Sequence, residues 1–231
     1  MNRYFFGILG CFFSVSVQAA DLDQVILKAD EIRNPPESFE MNIKVKTQDQ
    51  EYGFLVVTSG NEKTLIKTKF PIKDKGRNML MLGTDMWLFI PNLNRSVRIA
   101  LNQKLNGEVA NGDISRLRWH QDYKPSLLSE SPEAWTILLE ENKKGLTYPR
   151  LEVKIEKKTY RPLFADYMGI SGRKLKRATF SDYKMLAGKL RPSKITIQDL
   201  TNETKISNIE ISSIEVKKVD DSVFSKERLN D

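Results

Sequence analysis

Phe39-Glu40-Met41-Asn42-Ile43-Lys44-Val45-Lys46 is the stretch that decides the fold class, because apolar and polar side chains alternate strictly along it. A period of two residues puts every second side chain on the same face of a β-strand, so the stretch predicts a strand with one apolar and one wet face. Further candidate strands are 51–58, 63–69, 78–82, 86–90, 95–99, 135–141, 151–156, 162–168, 174–184, 190–199 and 204–211. Short turns rich in Gly, Asn, Asp and Ser join most of them, which predicts an antiparallel meander of about a dozen strands.

Both ends of this meander have helical patterns. Residues 21–33 carry an apolar stripe behind the capping residue Asp21, and the prolines after Asn34 end the predicted helix. The tail 221–229 predicts another short helix, with Ser225 as its cap and Phe224 and Leu229 packed inward. Such short helices cover little of a large sheet. Either the sheet curls on itself or part of its apolar face is left for a ligand.

Residues 100–134 interrupt the strand pattern and are rich in Gly and Pro. Asp113 predicts the start of a short helix that runs to Gln121, and Pro125 predicts the start of another. An insertion of this length in a compact β domain fits a mobile lid over a binding groove. It fits equally well a helical plug that completes the core, and the sequence leaves both interpretations open.

Methionines and apolar runs mark the hairpin over residues 79–90. Met79-Leu80-Met81-Leu82 and Met86-Trp87-Leu88-Phe89-Ile90 are apolar on both faces, which predicts that the hairpin is covered on both sides and central to the fold. Thioethers are flexible and polarisable, so the methionines suit either a surface for variable acyl chains or ordinary core packing. The candidate groove-lining residues are Phe39, Met41, Ile43, Met79, Met81 and Met86.

The N-terminal twenty residues have the pattern of a cleavable signal peptide. Arg3 precedes an uncharged, mostly apolar run from Phe5 to Val17, and Val17-Gln18-Ala19 offers small residues where signal peptidase cuts. Acidic residues follow, which favours cleavage over membrane anchoring. We therefore expect residues 1–20 to be removed and residues 21–231 to form one domain in the periplasm. The single cysteine, Cys11, would leave with the signal peptide, which excludes disulfides and thiolate chemistry from the mature chain.

The chain is basic, with a formal net charge of +7. Such a balance is typical of nucleic-acid binding, but export removes that partner, and no nucleic acid is expected. Basic clusters occur at 143–144, 157–158, 173–177 and 217–218. They fit solvated turns and lysine-blunted edge strands, and they also fit docking to an acidic partner or to anionic headgroups.

Motifs for catalysis are sparse. His120 is the only histidine, which excludes a histidine-rich metal site, and it has no evident partner in the sequence. Ser171-Gly172-Arg173-Lys174 fits the loose SxxK spacing in which a lysine activates a serine, but it lies in a predicted basic turn. We predict no catalytic residues, no metal site and no cofactor, and hence a protein that is not an enzyme.

Gly83-Thr84-Asp85-Met86-Trp87-Leu88-Phe89-Ile90-Pro91 resembles a hairpin of the outer-membrane lipoprotein-sorting family, the LolA-like proteins. The similarity continues in the family's order through nearly the whole mature chain, over 91–99, 112–117, 148–149, 161–163, 171–173 and 224–229. This succession implies a mainly β fold. More closely, the resemblance implies a strongly curved, half-open antiparallel β-barrel of about eleven strands with helices covering its concave face.

The resemblance also implies a function. Proteins of this family shield the acyl chains of a lipid or lipoprotein during periplasmic transport towards the outer membrane. The implied partners are therefore acyl chains, an inner-membrane transporter and an outer-membrane acceptor. The alternative is a binding or accessory module of an envelope transporter complex that carries no lipid. Lys69 stands where the sorting proteins have an arginine that latches the lid, so we expect that latch to be altered or absent.

Overall fold

The computed structural model describes residues 21–60, 62–115 and 118–230, and the predicted signal peptide lies outside them. Helix α1 spans Leu22–Arg33 and α2 spans Asn111–Ser115. The strands are β1 (Phe39–Lys46), β2 (Glu51–Ser59), β3 (Lys63–Phe70), β4 (Met79–Leu82), β5 (Asp85–Ile90), β6 (Arg95–Ile99), β7 (Lys104–Asn106), β8 (Val109–Ala110), β9 (Tyr123–Glu130), β10 (Ala134–Glu141), β11 (Arg150–Glu156), β12 (Pro162–Met168), β13 (Lys174–Leu186), β14 (Lys189–Asp199) and β15 (Ile206–Val216). Short 3-10 turns occupy Ile72–Asp74, Pro91–Leu93, Asp221–Val223 and Lys226–Arg228.

Thirteen of the strands form one large, curved antiparallel sheet in the order β6-β5-β4-β3-β2-β1-β15-β14-β13-β12-β11-β10-β9. The last strand returns to pair with the first, so that Phe39 lies opposite Val216. Strands β7 and β8 form a separate two-stranded ribbon. The antiparallel meander is thus confirmed. The expected count of about eleven strands is wrong, and the sheet is not closed into a barrel, since β6 and β9 are its edges.

The strict alternation of β1 matches its burial. Phe39, Met41, Ile43 and Val45 are all buried, and they face a main core that includes side chains from α1, α2 and most strands. A second, smaller core lies on other residues of β2–β4 and consists of Val57, Leu65, Leu80, Phe224 and Leu229. The sheet is therefore covered on both faces where the C-terminal tail crosses it.

The β4–β5 hairpin packs against a core on each face, as its apolar sequence predicts, although only Met86 of β5 is buried. Met79, Met81 and Met86 belong to the main core, whereas Leu80 and the half-buried Trp87 pack in the second core. The prediction of a central position is wrong, because β5 adjoins the edge strand β6. The outer face of the hairpin is buried by the C-terminal tail, through Phe224 and Leu229, and not by further strands of the sheet.

The C-terminal tail forms two 3-10 turns instead of the predicted helix. Ser225 precedes the second turn without a side-chain capping bond. Phe224 and Leu229 are buried, as predicted. Asn78 donates a hydrogen bond of 2.9 Å from Nδ2 to the carbonyl of Leu229, which fixes the end of the tail against the sheet.

Residues 100–134 differ most from expectation. Of the predicted helix from Asp113 to Gln121, the structure has α2 over Asn111–Ser115, and residues 118–121 are not helical. Pro125 does not open a helix, because it lies within the eight-residue strand β9. As an edge strand that is exposed along most of its length, β9 lacks the one-sided apolar pattern by which strands are recognised.

Helix α1 begins and ends near its predicted limits. The carboxylate of Asp21 accepts hydrogen bonds from the backbone N–H groups of Asp23 and Gln24, at 3.1 and 3.3 Å. Val25, Ile26 and Ala29 are buried in the main core together with Ile114 of α2. Within the described part of the chain, no helix combines the length and apolar character needed to cross a membrane.

Candidate ligand-binding interior

The six predicted groove-lining residues lie together in the structure. Each is at most 4% exposed, and all belong to the main core. The sheet brings them close because β1 and β4 are separated by only two strands. Their burial fits both core packing and an acyl-binding surface that is closed in this state, so the lining role stays a prediction.

A small cavity, here called the central gap, remains inside the main core. It has a volume of about 20 Å³, which is enough for about one water molecule. Its lining comprises Arg33, Asn34, Met41, Ile43, Asp113, Ile114, Phe180, Pro192, Ile195, Ile209 and Ile211. Met41 and Ile43 thus reach the gap beside side chains from α1 and α2. An acyl chain fits there only if the helices move.

A larger cavity of about 450 Å³, here called the side cavity, lies beside β2–β6 and the segment that contains β7. This volume falls in the usual range for small-ligand sites. Its apolar lining residues are Tyr52, Phe54, Met79, Leu88, Ile99 and Leu105, and its polar ones are Thr68, Lys73, Asp74, Arg77, Gln103, Lys104, Asn106 and Asn111. Phe54 and Met79 also belong to the main core, so the cavity floor is a part of that core.

Exposed basic side chains surround the side cavity. Lys73, Arg77 and Lys104 are exposed, and two of them have acidic partners. Arg77 lies 3.7 Å from Asp74, and Lys104 lies 2.8 Å from Glu108. The site therefore combines an apolar floor with a charged rim, which suits a ligand that has one apolar and one polar end.

Asp30 fastens α1 to the segment after α2. Its Oδ2 atom accepts hydrogen bonds from the backbone N–H groups of Trp119 and His120, both at 2.7 Å. Its Oδ1 atom accepts a hydrogen bond of 2.9 Å from Arg33, whose guanidinium lies 3.8 Å from the Trp119 ring centroid. Burial raises the pKa of Asp30, although Arg33 and the two N–H groups act against that shift.

Two arginines hold the C-terminal end of α1. Arg191 of β14 is only 1% exposed, and it donates hydrogen bonds to the carbonyls of Glu31 and Leu186. Arg118 donates to the carbonyls of Pro35 and Pro36 at 2.7 and 2.8 Å. Arg191 thereby satisfies a carbonyl in the last turn of α1 that has no partner within the helix, and Arg118 holds the prolines that follow the helix. Helix α1 is thus fixed over the core by polar contacts at its C-terminal end.

A second buried polar group holds α2. Asp113 pairs with the buried Lys176, and its Oδ2 atom accepts a hydrogen bond of 2.7 Å from the backbone N–H of Ala110. Tyr148 donates to Asp113 Oδ1 at 3.2 Å. Burial, and then the Asp113 carboxylate, raise the pKa of Tyr148 well above its ordinary value, so the hydroxyl keeps its proton as a donor.

The other residues considered from sequence lie elsewhere. Lys69 is exposed and lines a separate groove whose lining contains no residue of α1, so it does not latch that helix. His120 lies beside α1, where its backbone binds Asp30. The amine of Lys174 pairs with Glu152 and Asp166, each at 2.8 Å, whereas the Ser171 hydroxyl accepts a hydrogen bond from the backbone N–H of Arg173. Although burial lowers the pKa of Lys174, these hydrogen bonds leave it raised, which opposes a role as a base.

Sequence reasoning missed the polar residues that fix the helices, among them Asp30, Arg33, Asp113, Lys176 and Arg191. Asp30 lies next to the apolar stripe of the predicted helix, and an acidic residue at that position was a signal for a buried polar contact. For Arg191 and Lys176 no local signal existed, because both occur in strands rich in basic residues. Arg191 and Lys176 are buried because a helix packs over each of them, and the sequence of a strand does not show which helix will pack against it.

The comparisons with known proteins agree with this architecture. A family model described only as that of an uncharacterized protein matches residues 60–231. A LolA superfamily protein from Nitrosomonas europaea, NE2245, is 31% identical, with 90% of this chain and 99% of that chain covered and a TM-score of 0.83. No protein in the curated set matches significantly.

Two more distant structures share the fold. A proposed outer membrane lipoprotein-sorting protein domain from Vibrio parahaemolyticus is 18% identical, covers 90% of this chain and 98% of its own, and has a TM-score of 0.74. A DUF1329 family protein from Desulfovibrio piger is 19% identical, covers 90% and 97%, and has the same TM-score. Because NE2245 is 31% identical and the similarity spans nearly the whole of both chains, the chain belongs to the LolA superfamily.

Proposed function

We propose that this protein is a periplasmic carrier that shields the acyl chains of a lipid or lipoprotein on their way towards the outer membrane. The observation that carries the proposal is the side cavity, whose apolar floor belongs to the main core and whose rim is charged. The name of the Vibrio relative, which mentions outer membrane lipoprotein sorting, points in the same direction. An inner-membrane transporter and an outer-membrane acceptor would complete the route.

The chemistry of acyl chains explains why such a carrier is needed. Each methylene group removed from water contributes ~0.8 kcal/mol, so a long chain leaves a membrane at a useful rate only if a protein shields it. The side cavity offers Phe54, Met79, Leu88 and other apolar side chains for this purpose. Asn106 adds a polar atom, since its buried Oδ1 has no hydrogen-bond partner among the described residues.

A full-length chain needs more room than the side cavity and the central gap now offer. We infer that α1 and α2 act as the movable cover, because they close the main core over Met41 and Ile43. Helix α1 is only twelve residues long, and polar contacts at Asp30 and Arg191 fix its C-terminal end. Such contacts exchange with water at low net cost when the helix moves away.

A fluorescent sixteen-carbon fatty acid tests the proposal directly. We expect the purified mature protein to bind it, and Leu88→Glu to weaken binding at least about tenfold, because a carboxylate in the apolar floor must be desolvated or admit water. Leu88 is preferable to the six deeply buried residues, since it is only half-buried, at the margin of the main core. Leu128→Glu is the matched control, because Leu128 is 51% exposed on β9. Equal binding by both variants would contradict the proposal.

A binding module without lipid cargo is the second candidate. The observation in its favour is the near-complete filling of the core, in which the central gap measures only about 20 Å³. Native mass spectrometry of protein purified without detergent separates the two functions. A carrier should retain bound acyl species, whereas a module should appear as clean apoprotein that also fails to bind the fluorescent fatty acid.

A further inference from the structure

A groove of about 680 Å³ lies on the described part of the chain, and the carrier function does not use it. We call it the lysine groove, because Lys44, Lys69, Lys184 and Lys194 line it. It shares Ile43, Phe54 and Ile211 with the lining of the other two cavities, so only the sheet separates them. The main core helices contribute no residue to it.

The charges in the lysine groove are unevenly compensated. Its two carboxylates are Asp182 and Glu210, and Glu210 already binds Lys46, which lies outside the groove, at 2.9 Å. Lys44 binds Glu51 at 3.1 Å. For Lys69, Lys184 and Lys194, the described residues supply no carboxylate partner within ion-pair distance. Three ammonium groups therefore face the groove against one carboxylate, Asp182, that has no ion-pair partner there.

The groove is long and runs across the strands. Its lining residues come from β3, β2, β1, β15, β14 and β13, which are six consecutive strands of the sheet. Neighbouring strands lie ~4.8 Å apart, so five spacings measure about 24 Å along the sheet. An extended chain advances ~3.3 Å per residue, and the groove thus matches about seven residues of peptide. A single phosphate or headgroup would occupy only a small part of it.

One wall of the groove is aromatic. Phe70 is 36% exposed, and its ring lies directly against the backbone of Gly53. A Cβ atom at position 53 would come within 1.9 Å of that ring, so glycine is required for this packing. Lys44 Nζ lies 5.9 Å from the ring centroid. An exposed aromatic surface beside cationic groups is common where proteins bind peptides.

We propose that the lysine groove binds an extended acidic segment of a partner protein. The uncompensated lysines supply charge complementarity, the length across six strands matches a peptide, and Phe70 offers an apolar contact for one of its side chains. The charged lining of the site, Lys69, Lys184 and Lys194, takes no part in the acyl-binding interior, although Ile43, Phe54 and Ile211 line both. The protein can therefore hold cargo and a partner at the same time.

A labelled model peptide tests this proposal. The probe is an eight-residue peptide of alternating aspartate and serine with a fluorescent label, and the control peptide has asparagine in place of aspartate. Binding is measured by fluorescence anisotropy with the mature protein in about 0.05 M salt, where exposed charges are weakly screened. We expect the acidic peptide alone to bind, with an affinity that falls as salt is added.

Charge-reversed variants then locate the site. Lys69→Glu, Lys184→Glu and Lys194→Glu together should weaken peptide binding at least about tenfold, while the fatty-acid affinity stays unchanged. The control triple, Lys124→Glu, Lys144→Glu and Lys218→Glu, changes the net charge equally at exposed positions outside the groove. It should lose less than about threefold. If charge reversal destabilises the groove triple, the corresponding Lys→Gln triple replaces it.

Two results would overturn the proposal. Equal losses in the two triples would show that the peptide responds to net charge alone. Binding to phosphatidylglycerol vesicles without binding to the peptide would assign the groove to a membrane surface. Because fatty-acid binding is measured on the same proteins, failure of this proposal is distinguishable from failure of the carrier function.

Discussion

Trp87 shows, at the scale of single residues, how an apolar pattern misleads about the degree of burial. Its ring packs against the second core but is only partly buried, and Lys226 Nζ lies 4.2 Å from the ring centroid. A fully buried tryptophan costs ~3–5 kcal/mol when it is truncated to alanine, so we expect Trp87→Ala to cost about 2 kcal/mol of unfolding free energy. Urea unfolding measures this. Leu80→Ala, at a fully buried position of the same core, should cost more, and the reverse order would contradict the placement.

Asp166 makes a pH-dependent contribution to stability. Burial alone would raise the pKa of Asp166, but hydrogen bonds from Arg177 and Lys174 lower it below its ordinary value of 3.8. A carboxyl group whose pKa is lower in the folded state stabilises the fold above its unfolded pKa, and the contribution is lost as pH falls through the folded pKa.

Asp166→Asn should therefore reduce the unfolding free energy by about 2 kcal/mol at pH 7. The difference from the wild type should shrink as the pH falls below 3.8. Urea unfolding across this pH range measures the effect, and Asp49→Asn, in an exposed turn, is the control. A deficit that stays constant down to pH 2 would contradict the assigned role.

At the scale of elements, α1 is the part whose attachment decides access to the core. Asp30→Ala removes the acceptor for two backbone N–H groups and leaves Arg33 buried without its carboxylate, which should cost about 3 kcal/mol. We expect hydrogen exchange to accelerate in α1 and around Trp119, while β1 and β15 keep their protection. Fatty-acid association should also become faster.

Asp23→Ala is the matched control for this prediction, since Asp23 is an exposed acid in the first turn of the same helix. It should leave both hydrogen exchange and association unchanged. Uniformly faster exchange over the whole sheet in Asp30→Ala would mean general destabilisation and would contradict the idea of a cover attached at one end.

The elements also show where sequence reasoning succeeds. Strands with one buried face, such as β1, are predictable because apolar and polar residues alternate along them. Helix α1 is predictable from its apolar stripe and its N-terminal capping residue. Strand β9 was not predicted, since an exposed edge strand needs no apolar face and tolerates Pro125, whose missing N–H costs little at an edge. The contacts of Arg191 with α1 join residues about 160 positions apart, and no local pattern encodes them.

For the whole molecule, we propose that two surfaces of one sheet serve different purposes. The face that carries Met41 and Met79 is apolar and closed by helices, whereas the lysine groove is open and charged. The sequence predicted the members of the main core well, because burial of Phe39, Met41 and Ile43 follows from the period of β1. Of the six predicted lining residues, only Met79 lines the side cavity. The cavity forms where β2–β6 meet the segment around Leu105, which is distant in sequence, so no local pattern predicts it.

Photo-crosslinking tests the central claim most directly. A sixteen-carbon fatty acid with a photoactivatable group near its end is bound to the mature protein, irradiated, and located by peptide mass spectrometry. The account predicts that the crosslinks fall on side-cavity and main-core residues that do not line the lysine groove, chiefly Met79, Leu88 and Ile99. Crosslinks confined to the peptides that carry Lys69 or Lys184 of the lysine groove, or none above background, would contradict an acyl-binding interior.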